Sequence, residues 1–256
     1  MSDLPRRRGT STSSNTSSGP SWIQPFAARL TPAIKAILVV NVLLYLVFLL
    51  VHEVRELMLV KLSVSPDLLH APWQPLTAMF LHIENDGREL LFLLLDLLGI
   101  WFVGGSLERK LGTKRFLILF LGAGVLANVA IALVSGVFGA KSIYIGPSLA
   151  ILGLFVAFAR VWGPVPTQVI PGLAFKATHT AIFFVAIAIL MSLGRRDLAA
   201  VAGAVVAAAA GWLLAAPGGV RQVMHALRLR AGRQRYKVLD GGAPPRRVTR
   251  SQKYWN

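Results

Sequence analysis

The chain has 256 residues, of which 55% are hydrophobic and only 15% charged, with a mean hydropathy of +0.61. A soluble domain needs a polar shell and carries about 25% charged residues, so a soluble globule and a disordered chain are both excluded and the bilayer is the expected solvent. No cysteine is present, which excludes disulfides and Cys-ligated metal. The formal charge of +16 suits either nucleic acid or anionic lipid, and the placement of the charges decides between them.

Residues 1–31 carry Arg6-Arg7-Arg8 and a Ser/Thr/Gly-rich stretch, the composition of a disordered polar arm. The apolar run after Thr31 starts too far in for a cleavable signal peptide, and no A-x-A site follows it; a retained span is expected. At about 20 apolar residues per span, six spans are predicted, at 33–51, 89–107, 115–138, 147–163, 173–193 and 197–216. The fourth and sixth are short. The loop 52–88 is long and carries both signs of charge. Pro164, Pro166 and Pro171 mark the turn between spans four and five, and Gly194-Arg195-Arg196 separates five from six. The expected organisation is an arm (1–31), a membrane domain (32–216) and a basic tail (217–256).

With the N-terminus inside, 21 of the 27 Lys/Arg fall on inner segments, so the positive-inside rule predicts that both termini are cytoplasmic. Arg195-Arg196 is the outer pair against the trend. From Arg221 to Lys253 the tail sets 10 Lys/Arg against the single Asp240. Anionic lipid headgroups are its expected partner, at about 1 kcal/mol per charge near the surface; nucleic acid is not.

Polar groups inside spans are costly and mark function. Asp96 in span two and Gly146-Pro147-Ser148 at the start of span four are such features. In span six, Ala199, Gly203, Ala207 and Gly211 form a stripe of small residues, and Gly153 and Ala157 in span four offer a matching surface. Small residues at this spacing let helix backbones approach closely, so the stripe is read as packing. Glu84, Asp86 and Glu89 beside His82 resemble half a metal site but read better as a solvated turn; no metal and no cofactor are expected.

From Trp73 to Trp212 the chain resembles the rhomboid family of intramembrane serine proteases. The stretch 72–82, PWQPLTAMFLH, is similar to the approach to the family's second span, with Trp73, Thr77, Phe80 and His82 in familiar places. Gly104, Glu108 and Gly112 match its G-x-x-x-E-x-x-x-G junction. GPSLAILGLFVAFA (146–159) resembles the stretch that carries the nucleophilic serine, which implies Ser148 for that position. AAVAGAVVA (199–207) resembles the stretch that carries the catalytic histidine. The resemblance implies an all-α polytopic membrane protein, a rhomboid-like bundle of six transmembrane helices.

The departures bear on activity. Ala200 stands where the family has its histidine, Leu149 where a glycine follows the serine, and Leu152 where an aromatic often lies. Counting back from Glu108 without gaps, the family's oxyanion asparagine falls on Asp96 and its nearby histidine on Phe92; a shifted register gives Glu89 and Leu93, and neither restores the pair. A serine hydroxyl is a poor nucleophile without a base, and in a soluble serine protease losing the histidine alone costs about 10⁶-fold in turnover. An ionised Asp96 would repel an oxyanion, which needs donors; as a neutral acid it would be a donor, and as a carboxylate a base. Ser148 and Asn128 are its expected hydrogen-bond partners. Of the histidines (His52, His70, His82, His179 and His225), only His82 is expected near the depth of Ser148.

The leading expectation is a pseudoprotease that binds transmembrane segments of client proteins. The alternatives are an active intramembrane serine endopeptidase with Ser148 as nucleophile and Asp96 or His82 as atypical base, and a small transporter using Asp96.

Overall fold

The computed structural model describes residues 30–67, 70–82, 89–139, 143–163, 166–170, 173–216 and 218. All of the polar arm but Leu30 and Thr31, and almost all of the basic tail, therefore lie outside the described residues. The first helix, α1 (Pro32–Leu50), opens on a proline, which costs nothing at a position whose N–H is unpaired in any case. It buries Ile34, Ile37, Asn41, Tyr45 and Phe48, spaced three or four apart and so on one face. α2 (His52–Leu62) and the short α3 (Gln74–Thr77), extended by a 3-10 turn over Ala78–Phe80, fold the first loop. Side chains hold that loop to its own backbone. Ser65 donates its N–H and hydroxyl to Gln74 Oε1 at 2.9 and 2.6 Å, Trp73 Nε1 donates to the Lys61 carbonyl, and Thr77 Oγ1 donates to that of Leu62.

α4 (Glu89–Gly99), a π-helical turn (Ile100–Gly104) and α5 (Gly105–Leu111) make one rod. Gly112, at φ +83°, ends it and lets α6 (Thr113–Phe138) start back across the bundle. Tyr144 bridges antiparallel to Val64 of the first loop, and α7 (Ser148–Trp162) follows. An antiparallel hairpin of β1 (Pro166–Ile170) and β2 (Leu173–Lys176) leads into α8 (Ala177–Gly194), and α9 (Leu198–Leu214) closes the described chain.

By length and composition, Pro32–Leu50, Leu90–Leu111, Thr113–Phe138 and Ala177–Gly194 suffice to cross a membrane, while Ser148–Trp162 and Leu198–Leu214 are apolar but shorter. Five of the six predicted spans begin within a few residues of these helices. The fifth does not. Leu173–Lys176 pairs with β1 instead of opening the helix, so α8 starts at Ala177. A short apolar run looks the same by hydropathy whether it is a strand or a helix start.

The largest buried cluster lies where α6 and α7 meet α1 and the rod, with Phe116 and Phe120 of α6 stacked on each other among Ile34, Ile100, Leu107 and Leu154. Lipid tails are as apolar as leucine, so close van der Waals contact and internal hydrogen bonds must hold such helices together. Small residues supply the contact. A Cβ on Gly153 would fall 2.6 Å from Ala123 Cβ, and one on Gly203 would fall 2.7 Å from Ile131 Cγ1. Asn128 of α6 supplies one of the bonds, donating from Nδ2 to the Pro75 carbonyl at 2.8 Å. Asn128→Leu is expected to cost ~1–2 kcal/mol by stranding that buried carbonyl, measurable as a lower unfolding midpoint in detergent. Of the four helices long enough to span, α8 is the least embedded, burying only Ala177 and Ala181 among the described residues.

Candidate intramembrane site

Ser148 is the first residue of α7, behind Pro147 and Gly146. Gly146 adopts φ +95°, a conformation open to glycine, and its N–H donates to the Ala78 carbonyl at 2.8 Å. The serine is thereby fixed against the 3-10 turn that leads to His82. Its hydroxyl is exposed and lies 3.3 and 3.2 Å from the two carboxylate oxygens of Asp96 on α4, to which it donates. Of the two partners expected for Asp96, Ser148 is the one found; Asn128 is engaged with Pro75.

A third group completes the cluster. His82 is 6% exposed, and its Nε2 stands 3.3 Å from Asp96 Oδ2. The order in space is serine, carboxylate, imidazole. No hydrogen bond joins His82 to Ser148 among the described residues.

The other positions singled out in the sequence fall around this cluster or away from it. Phe92 is 53% exposed, whereas its neighbour Leu93 is 3% exposed, so Phe92 faces outward from the bundle. Ala200 lies in the first turn of α9, half-buried, and its N–H donates to Asp197 Oδ1 at 2.9 Å. Ala199, Gly203 and Ala207 are buried on the face that α9 presents to α6 and α7. His70 and His179 are exposed. The ring of His70 lies 2.7 Å from Asp67, and its hydrogen bond holds that carboxyl below its usual range. The side chains of His52, Glu84, Asp86 and Glu89, and all of His225, lie outside the described residues. Among the described residues, no group of three or more His, Cys, Asp or Glu could hold a metal ion.

Two polar anchors have partners that sequence reasoning did not name. Asp197 caps α9 and also accepts from the Tyr144 hydroxyl at 2.6 Å, joining the α8–α9 turn to the segment that leads into Ser148. An aspartate directly before an apolar run is a helix-start signal, so the cap was there to be read. The second is Glu108. It accepts from the backbone N–H groups of Ala33 and Ile34, from Thr113 Oγ1 at 2.7 Å, and from the hydroxyl of Thr31. A carboxylate at the unpaired donors of a helix start is favourable in both charge and geometry.

Fold and site together define a helical integral membrane protein with a serine hydroxyl set against an acid at one end of its bundle. The comparisons narrow the class. The Rhomboid domain profile matches residues 70–217, and the chain belongs to the rhomboid family. Among its relatives are the proteins named rhomboid protease GlpG from Yersinia pestis (strain Pestoides F) and Yersinia pseudotuberculosis serotype O:3 (strain YPIII). Each is 25% identical over 116 residues, which is 45% of this chain and 40% of the relative. The matched stretch thus spans less than half the length of these curated relatives.

Proposed function

We propose that this rhomboid-family protein holds transmembrane segments of client proteins without cutting them. The observation that carries this reading is the Ser148 hydroxyl bound to the Asp96 carboxylate, in a chain with Ala200 where the family resemblance calls for histidine. In an activated serine the imidazole touches the hydroxyl and the carboxylate orients the imidazole. Here the carboxylate lies in between. A carboxylate is a weaker base than an imidazole, and its charge opposes the oxyanion that acyl transfer must stabilise.

Helix length supports a site within the membrane. α7 has 15 residues, about 22 Å at 1.5 Å per residue, against a hydrocarbon core of about 30 Å. Arg160 and Trp162 suit the interface at its far end, which leaves Ser148 below the opposite surface, within reach of a client helix. In this reading the six apolar helices all span, both termini are cytoplasmic, and the basic tail lies along anionic headgroups of the inner leaflet.

The test uses the purified full-length protein with a fluorophosphonate probe and a transmembrane reporter. The wild type is expected to give no labelling above Ser148→Ala and no cleavage, while both proteins crosslink to the reporter. Labelling or cleavage that Ser148→Ala abolishes would overturn the proposal. That result would favour a second reading, supported by the contact of His82 with Asp96, in which Asp96 is the base of an active endopeptidase. Its signature is activity lost in Asp96→Asn as well.

A further inference from the structure

The turn between α8 and α9 carries two adjacent arginines, Arg195 and Arg196, both exposed. Neither guanidinium has a hydrogen bond or ion pair among the described residues. The acid beside them, Asp197, is occupied by the N–H of Ala200 and the hydroxyl of Tyr144. Arg196 also holds φ +56°, the only positive φ outside glycine among the described residues. Its N–H donates to the Leu193 carbonyl and that of Asp197 to the Ser192 carbonyl, so Arg196 occupies the left-handed position after a helix where glycine is usual. Gly194 stands two residues earlier. A strained conformation kept on a charged residue points to a use for its side chain.

The surroundings say which use. Leu190, Met191 and Leu193 on the last turns of α8, and Leu198 at the start of α9, are each half or more exposed. Two cations with no partner among the described residues thus crown an apolar wall. That arrangement complements an amphiphile with an anionic phosphodiester head and hydrocarbon chains: the head accepts from the guanidiniums and the chains run along α8. We infer that Arg195 and Arg196 form a binding site for an anionic phospholipid at the Ser148 end of the bundle. The bond from Tyr144 to Asp197 ties the turn to the segment entering α7, so the bound lipid steadies the same end that holds the serine. The inference does not depend on whether Ser148 cuts.

The experiment photocrosslinks the full chain in nanodiscs with phosphatidylglycerol or phosphatidylcholine carrying a diazirine near the head of the acyl chain, and maps the adducts by peptide mass spectrometry. Adducts over residues 187–198 are expected to favour the glycerol lipid about tenfold to thirtyfold, from two charges at about 1 kcal/mol each. Arg195→Gln/Arg196→Gln should remove that preference, while Arg195→Lys/Arg196→Lys keeps most of it. Adducts on the basic tail serve as the internal reference and should not change. Equal labelling by both lipids, or a preference that survives the glutamine variant, overturns the site. So does displacement by inorganic phosphate, which would make it a simple anion site. If the arginines serve only the carbonyl end of α8, the glutamine variant lowers the melting temperature equally in both lipids and leaves the adducts unchanged.

Discussion

Gly211→Leu is expected to leave little folded protein. A Cβ at Gly211 would sit 2.2 Å from the Gly153 carbonyl oxygen and 2.8 Å from its Cα. The obstacle is backbone, so no rotamer change can relieve it. α7 and α9 would have to move apart along the contact that brings their small residues together. Overpacking a core commonly costs 1–3 kcal/mol; here the separation also forfeits the close contact that drives association in lipid, so a loss of ~3 kcal/mol or more is expected. Gly122→Ala is the control, because its new Cβ would meet only the tip of Leu214 at 3.0 Å, a side chain that can turn aside. Circular dichroism melts in mild detergent read both variants. A Gly211→Leu protein melting within a few degrees of wild type would show that the two helices are not held by this contact.

Glu108→Leu is the second large effect, expected at roughly 3–5 kcal/mol. The leucine would strand the Ala33 and Ile34 N–H groups and the Thr113 and Thr31 hydroxyls, and each buried donor left unpaired costs about 1–3 kcal/mol. Solvent can repay part of this, since Thr31 is only partly buried and Thr113 is exposed. Thr31 gives α1 no side-chain cap, so Glu108 performs that service from a distant element. Glu108→Gln keeps an acceptor but loses the charge, and about half the loss is expected. Hydrogen exchange should place the damage in the first turn of α1. A uniform loss across the bundle, or equal effects of leucine and glutamine, would contradict this account.

Much of the fold was legible in the sequence because each apolar run is bounded by Pro, Gly or charge. α1 opens at Pro32 and α6 at Thr113, just after Gly112, against starts expected at 33 and 115. The start of α8 was not legible, since strand pairing between Pro166–Ile170 and Leu173–Lys176 depends on a partner that local hydropathy does not report. Asp96 stood out because an acid within a span is costly, and its contact with Ser148 was among those expected. His82 was expected near the depth of Ser148, but its contact with Asp96 could not be read: the two lie 14 residues apart, with no helical period connecting them. The same holds for Glu108, which its motif made visible while its partners some 75 residues away stayed hidden.

The π-helical turn at Ile100–Gly104 sets the angular phase of the rod that contains it. Asp96 and Glu108 are twelve residues apart; on an unbroken α-helix, at about 100° per residue, they would point roughly 120° away from each other. A π turn absorbs about one residue, which brings the two carboxylates to within about 20°. Asp96 then meets Ser148 while Glu108 meets the head of α1. Removing a single residue from that turn would keep both acids in the chain and swing one of them out toward the lipid. For this protein, residue count between the two acids matters as much as the acids themselves.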